Sequence, residues 1–129
     1  MNLIEYLQIE TISISKEQVE LLLPISDIHL QPFGFLHGGI NGILIETACS
    51  IGANQHLSSP QYAVGVDLHV NHLNSAQNGQ LRVIARPTKI GRSIQFWAAE
   101  IYLEKENEPT PAHLIANGSC TLTVRNEST

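Results

Sequence analysis

The hydrophobic pattern of the chain changes period twice. Over residues 9–26, "IETISISKEQVELLLPIS", apolar and polar residues alternate and Ile, Val and Leu dominate. That pattern predicts two strands turning near Ser15 to Glu17. "DIHLQPFG" follows, with Pro32 and Gly34 as loop punctuation. Gly38 and Gly39 then open a segment of helical period running to about His56. Ile40, Ile43, Leu44, Thr47, Ala48 and Ile51 recur at three and four. This helix is apolar on most sides, which predicts that other structure wraps it. After Pro60 the period becomes two. Val64, Val66, Leu68 and Val70 point one way, and Asp67, His69 and Asn71 the other. "SAQNGQ" is a turn. "LRVIARPTKI", "SIQFWAAEIYLE" and "HLIANGSCTLTV" are three more strands, joined by "GR" and the polar loop "KENEPTPA". Two strands, one long helix and four strands predict an α+β fold: a meander of about six antiparallel strands around a central helix. Six strands of one small chain cannot cover such a helix on all sides, so a second copy of the chain is the expected cover.

Composition narrows the class. The 129 residues suit one domain, 1–129, large enough for a core without disulfides. The formal net charge of -5 gives no footprint for nucleic acid. No apolar run has transmembrane length, and "MNLIEYLQIE" has no basic region followed by an apolar core. The expectation is a cytoplasmic protein with no membrane partner. Cys49 and Cys120 lie in apolar segments and read as core thiols. Six His are present, but His69 and His72 are three apart on a strand and face opposite sides. With no ligand spacing, neither a metal nor a cofactor is expected.

The candidate chemistry centres on one acid. From Ile28 to Val66 the only Asp, Glu, Lys or Arg is Glu46. A carboxylate in apolar surroundings must be paired, neutralised or used. Upstream, "QPFGFLHGG" places two glycines at the helix start, where bare backbone N–H groups suit an anion or a developing oxyanion. Gly42, Glu46 and Ser50 form a stripe at i, i+4 and i+8. The arrangement suits acyl transfer, with a carbonyl bound at Gly38 and Glu46 attacking it or activating water. A structural Glu inside a dimer interface is the competing reading.

"QPFGFLHGG" followed by Glu46 and "SIGA" resembles the hotdog-fold acyl-CoA thioesterases of the phenylacetate-thioesterase-like branch. The likeness is greatest to 1,4-dihydroxy-2-naphthoyl-CoA and 4-hydroxybenzoyl-CoA hydrolases whose acid is Glu. "VGVDLHVNHLNSA" and the "GRS" turn followed by "QFW" extend it over about Gln31 to Glu104. The resemblance implies a hotdog domain that hydrolyses an acyl-CoA to free acid and CoA. Glu46 matches the nucleophile or general base. Gly38 matches the N–H that polarises the thioester carbonyl, and Gln31 a side chain near the thioester. His37 matches the His before the glycines, which serves equally well as a structural His. Ser50 matches a hydroxyl that places water or substrate. His72 matches a position near the pantetheine or nucleotide path, or is structural. Asn74 stands where close relatives often carry a basic residue, and the leading helix of many relatives is short or absent. A second chain is expected to complete the long helix, which makes a homodimer the expected minimal active unit, with pairs of dimers stacked in a tetramer.

CoA is strongly anionic, so a local basic patch must attract it on an acidic chain. Lys89 and Arg92 flank Gly91, Ser93 completes that turn, and Arg82 and Arg86 share a strand face. Two rivals remain. A hydroxyacyl-thioester dehydratase needs a His fourteen residues before the acid, where this chain has Pro32. A non-catalytic acyl-CoA-binding protein would carry an added DNA-binding segment, and only a few residues precede the first strand.

Overall fold

The computed structural model describes residues 1–105 and 113–127. A one-turn helix, α1 (Leu3–Tyr6), precedes β1 (Glu10–Ile14) and β2 (Val19–Pro24). The long helix α2 spans Gly38–Asn54. Four strands follow: β3 (Gln61–His72), β4 (Gln80–Ile90), β5 (Ile94–Glu104) and β6 (His113–Asn126). All six strands form one antiparallel sheet in the order β1-β2-β4-β5-β6-β3. The expected meander therefore holds for β4, β5 and β6. β3 departs from it by pairing with β6 at the far edge. Most of the loop "KENEPTPA" lies outside the described residues.

α2 lies across one face of the sheet. Its buried residues are Ile40, Asn41, Leu44, Ile45, Ala48, Cys49, Gly52 and Ala53, a single stripe at helical spacing. The sheet supplies the other half of the core. Leu21, Leu23, Leu81, Val83, Ile101 and Leu122 alternate with outward residues and are fully buried. The Trp97 ring lies so close under Gly52 that a Cβ there would sit 2.4 Å from it. Ile43, Thr47 and Ile51 are only half-buried and Glu46 is exposed. The chain thus covers one face of α2 and leaves the opposite one open, in line with the expectation that six strands of one chain cannot cover the helix on all sides.

β3 also departs from simple alternation. A register shift between Gly65 and Asp67 puts Ala63 and Gly65 on the helix side before it, and Leu68, Val70 and His72 after it. Val66 is 56 % exposed. Its expected place in one stripe with Leu68 and Val70 is lost to the bulge.

The loop before α2 is fixed by a buried histidine. His29 Nδ1 accepts from the Ser26 N–H at 2.9 Å, and its Nε2 donates to the Leu7 carbonyl at 2.8 Å. The His37 N–H bonds the His29 carbonyl, and the Leu36 N–H bonds the Ala76 carbonyl. Gly34 has φ +89°, a conformation that favours glycine, and lets the chain turn back so that the Gln31 N–H reaches the Phe35 carbonyl. Among the described residues, no helix is long and apolar enough to cross a membrane.

Candidate active site

Two aromatic rings explain the two glycines that open α2. His37 is the N-cap, and its Nδ1 accepts from the Gly39 N–H at 2.8 Å. A Cβ on Gly39 would lie 2.9 Å from that nitrogen. His72 reaches over from β3, and a Cβ on Gly38 would meet its Cε1 at 3.1 Å and its Nε2 at 3.3 Å. The helix start is bare because imidazoles occupy the space. The Ile40 N–H bonds the His37 carbonyl. Neither of these bonds uses the Gly38 N–H, which stays at the positive end of the helix dipole.

Gln31, Gly38, Asn41 and His72 line one cavity of about 550 Å³, with Phe35 and Leu73 as apolar walls. The Gln31 Oε1 accepts from the Phe33 N–H, which leaves the side chain's two amide hydrogens free to donate.

Glu46 and Ser50 line a different cavity of about 340 Å³, together with Ile4, Thr47, Ile51 and Gly65. The carboxylate lies on Gly65: a Cβ there would be 2.7 Å from Oε2. Glu46 is exposed in the single chain, so the desolvation expected from its apolar sequence context is not supplied by its own fold. Burial there falls on two thiols instead. Cys120 is pushed up to about 11, first by desolvation and then by the charges of Glu46 and Asp67. Cys49 is pushed higher still by burial. Both are inert core thiols, as their sequence context predicts.

Eight residues of α2 separate Gly38 from Glu46, roughly 12 Å along the axis. One chain therefore does not bring the carbonyl-binding end and the acid together. Gln31, Gly38 and His72 form one group, and Glu46 and Ser50 another.

The basic residues fall elsewhere. Lys89 and Arg92 are exposed beside the β4–β5 turn, where Gly91 N–H bonds the Ile94 carbonyl. Ile94 pairs with Thr123, which pairs with Val64. This turn, with Ser93, thus lies in the cross-strand row of the Glu46 end of β3. Arg82 has a different role. Its guanidinium pairs with Glu20 and, at 2.8 Å, with Glu104 on the outer sheet face. The hydrogen bond from Arg82 holds the Glu104 carboxyl below its ordinary range. An Arg bound to two carboxylates is not a free phosphate ligand. Among the described residues no group of three or more His, Cys, Asp or Glu could hold a metal ion.

Asn41 is the residue that the sequence reading missed. It falls on the buried stripe of α2 and carries no charge, and only the structure shows its amide reaching His72 at 3.1 Å.

The description "Thioesterase superfamily" fits residues 33–110 of this chain. The chain belongs to the thioesterase superfamily. This thioesterase is 34 % identical over 125 residues to the 1,4-dihydroxy-2-naphthoyl-CoA hydrolase of Listeria monocytogenes, covering 97 % of each chain. It is 33 % identical over 104 residues to the Escherichia coli enzyme of the same name, covering 81 % of this chain and 76 % of that one. Among solved structures, a thioesterase from Haemophilus influenzae superposes with a TM-score of 0.84 at 33 % identity, over 95 % of this chain and 82 % of that one. The fold is the hotdog fold of those enzymes, and the protein is a thioester hydrolase.

Proposed function

We propose that this thioesterase hydrolyses acyl-CoA in a site completed only by two copies of the chain. The observation that carries the reading is the division of its polar groups between two cavities on one helix. β3 is one edge of the sheet, twelve residues long, with Val66 and Leu68 exposed on it. A long edge strand is a template for pairing. Glu46 lies against Gly65 of β3, and Gly38 lies against His72 at its other end. A twofold axis midway between Gly65 and His72 would pair β3 with its copy antiparallel. Glu46 of one chain would then meet the Gly38 end of the other.

In that site the thioester carbonyl oxygen takes the Gly38 N–H, with the Gln31 amide as a nearby donor. Glu46 attacks the carbonyl carbon or removes a proton from water, and Ser50, one turn away, holds that water or the substrate. On the first route the CoA thiolate leaves, water then hydrolyses the acyl–Glu46 anhydride, and the thiolate takes a proton from that water. On the second the hydroxide displaces the thiolate, which takes the proton that Glu46 removed. Both routes end in free acid and CoA. Ile4, Ile51 and Val64 near Glu46 give the acyl group apolar walls. An aryl-CoA such as 1,4-dihydroxy-2-naphthoyl-CoA fits those walls and the names of the relatives. Lys89 and Arg92, with Gly91 and Ser93, are the proposed contacts for the CoA phosphates. The outer sheet face, where His69, Arg86 and Glu100 line a further hollow, is where pairs of dimers would stack into a tetramer.

Mixing two crippled variants tests the shared site. Glu46→Gln and Gln31→Ala chains are each nearly inactive alone. Unfolded together at equal amounts and refolded, half the dimers are mixed and each mixed dimer has one intact site. Turnover of an acyl-CoA, read with a thiol reporter, recovers to about a quarter of wild type. A site within one chain gives no recovery.

A further inference from the structure

We propose that Asn41 is a positioning residue for the thioester site: its buried amide sets the His72 imidazole across the start of α2 with Nε2–H presented to an oxygen of the bound acyl-CoA. This rests on the hydrolase reading above for the identity of the ligand, and on this chain alone for the geometry.

Asn41 is 3 % exposed and lies one turn after Gly38, on the same helix face. Its Nδ2 is 3.1 Å from His72 Nδ1. Its Oδ1 is buried and has no partner. An amide nitrogen can only donate, so this contact makes Nδ1 the acceptor and leaves the ring proton on Nε2. The opposite arrangement would have Oδ1 accept from Nδ1–H and would strand buried amide hydrogens. An unpaired carbonyl is the better tolerated of the two orphans.

The ring lies close over the helix start. Its Cε1, Nε2 and Nδ1 lie 3.1, 3.3 and 3.5 Å from where a Gly38 Cβ would be, so the imidazole lies across the glycine. His72 also borders the cavity that holds Gln31 and Gly38. Gln31, Gly38 and His72 line one space, and the groups they can offer it are the Gly38 N–H, the Gln31 amide and the His72 Nε2–H. All are donors. Donors gathered beside a helix start suit an oxygen of the ligand, and a thioester with its amide-linked arm supplies carbonyl oxygens. Asn41 keeps a buried polar atom unpaired, a cost that the fold bears at this site.

Imidazole nitrogen-15 spectra of the intact protein read the tautomer directly and need no turnover. Wild type shows His72 with a pyrrole-type Nε2 and a pyridine-type Nδ1. Asn41→Asp, whose carboxylate only accepts, moves the proton to Nδ1; Asn41→Leu removes the donor at similar volume. Both lower kcat/KM for acyl-CoA on the order of 10- to 100-fold. In a His72→Ala background the same substitutions cost almost nothing further, because Asn41 acts through the ring. A wild-type His72 protonated on Nδ1 overturns the proposal even if no variant folds. Equal losses with and without His72 also overturn it, since they mark Asn41 as a packing residue. Wild type that shows the Nε2–H tautomer but no acyl-CoA hydrolysis refutes the hydrolase reading and leaves the positioning of His72 standing.

Discussion

The start of α2 and its middle are built from similar parts and differ in how far one chain finishes them. Both rely on missing side chains: Gly38 and Gly39 at the start, Gly42 and Gly65 around the acid. At the start an imidazole lies over each glycine, beside a cavity of about 550 Å³. His37 caps Gly39, His72 crosses Gly38, and Asn41 holds His72. At the middle the Glu46 carboxylate lies on Gly65 and is exposed, and Ser50 is half-buried. Among the described residues the Glu46 side chain takes part in no hydrogen bond or ion pair. The start therefore has little room for change without moving something. The middle tolerates change structurally, so what it loses on substitution is chemistry.

Glu46→Gln makes the strongest test of that contrast. The variant keeps size and hydrogen-bonding capacity and removes the charge. Turnover falls on the order of 100-fold or more. Stability in a urea titration stays within about 0.5 kcal/mol, as for other exposed sites. A variant that hydrolyses normally but unfolds early would make Glu46 a structural acid and erase the difference between the two regions. Single-turnover hydrolysis in heavy-oxygen water then sorts the two routes. Label in the Glu46 side chain marks a mixed anhydride, and its absence marks direct attack by water.

Gly38→Ala probes the finished end. The new methyl would stand 3.1 Å from His72 Cε1, so the ring must give by a few tenths of an ångström. Alanine also lowers the chain entropy lost on forming a helix, by roughly 0.5–1 kcal/mol. The two effects nearly cancel in stability. The displaced imidazole does not cancel in the site, and turnover drops about 10-fold. Unchanged turnover would mean that the close fit of His72 on Gly38 has no part in the reaction.

The same contrast explains what was readable in the sequence. The six strands, the long helix and its glycine start follow from period and punctuation, because each is set by neighbours in the chain. Glu46 stood out because a charge in a long neutral run is rare. Three things were not readable. The bulge at Gly65 and Asp67 comes from pairing with β6, and no local signal marks it. The partners of Arg82 come from β2 and β5, so a strand face that looked free for phosphate is occupied. Asn41 looks like one more interior helix residue until β3 brings His72 to it. Each depends on which strand lies beside which, and the alternation of a strand carries no record of its neighbour.

The smallest expected effect links the open middle to the core beneath it. Cys120 is 1 % exposed, and its Sγ lies 3.3 Å from where a Gly65 Cβ would be, on the residue that carries the Glu46 carboxylate. Burial and then the Glu46 charge push its pKa up to about 11 from an ordinary 9.0. The folded protein therefore holds the thiol proton more tightly than the unfolded chain does. Stability from this source is intact below pH 9.0 and declines as pH rises from there toward about 11. Glu46→Gln removes one of the two charges that disfavour the thiolate, leaving burial and Asp67. The Cys120 pKa should fall by a fraction of a unit, and the loss of stability above pH 9.0 should become shallower. Alkylation rates across the alkaline range, with Cys49→Ala to leave a single thiol, report the shift. No shift would mean that the carboxylate of the assembled protein points away from Gly65, toward the partner chain, and that the open middle has moved on assembly.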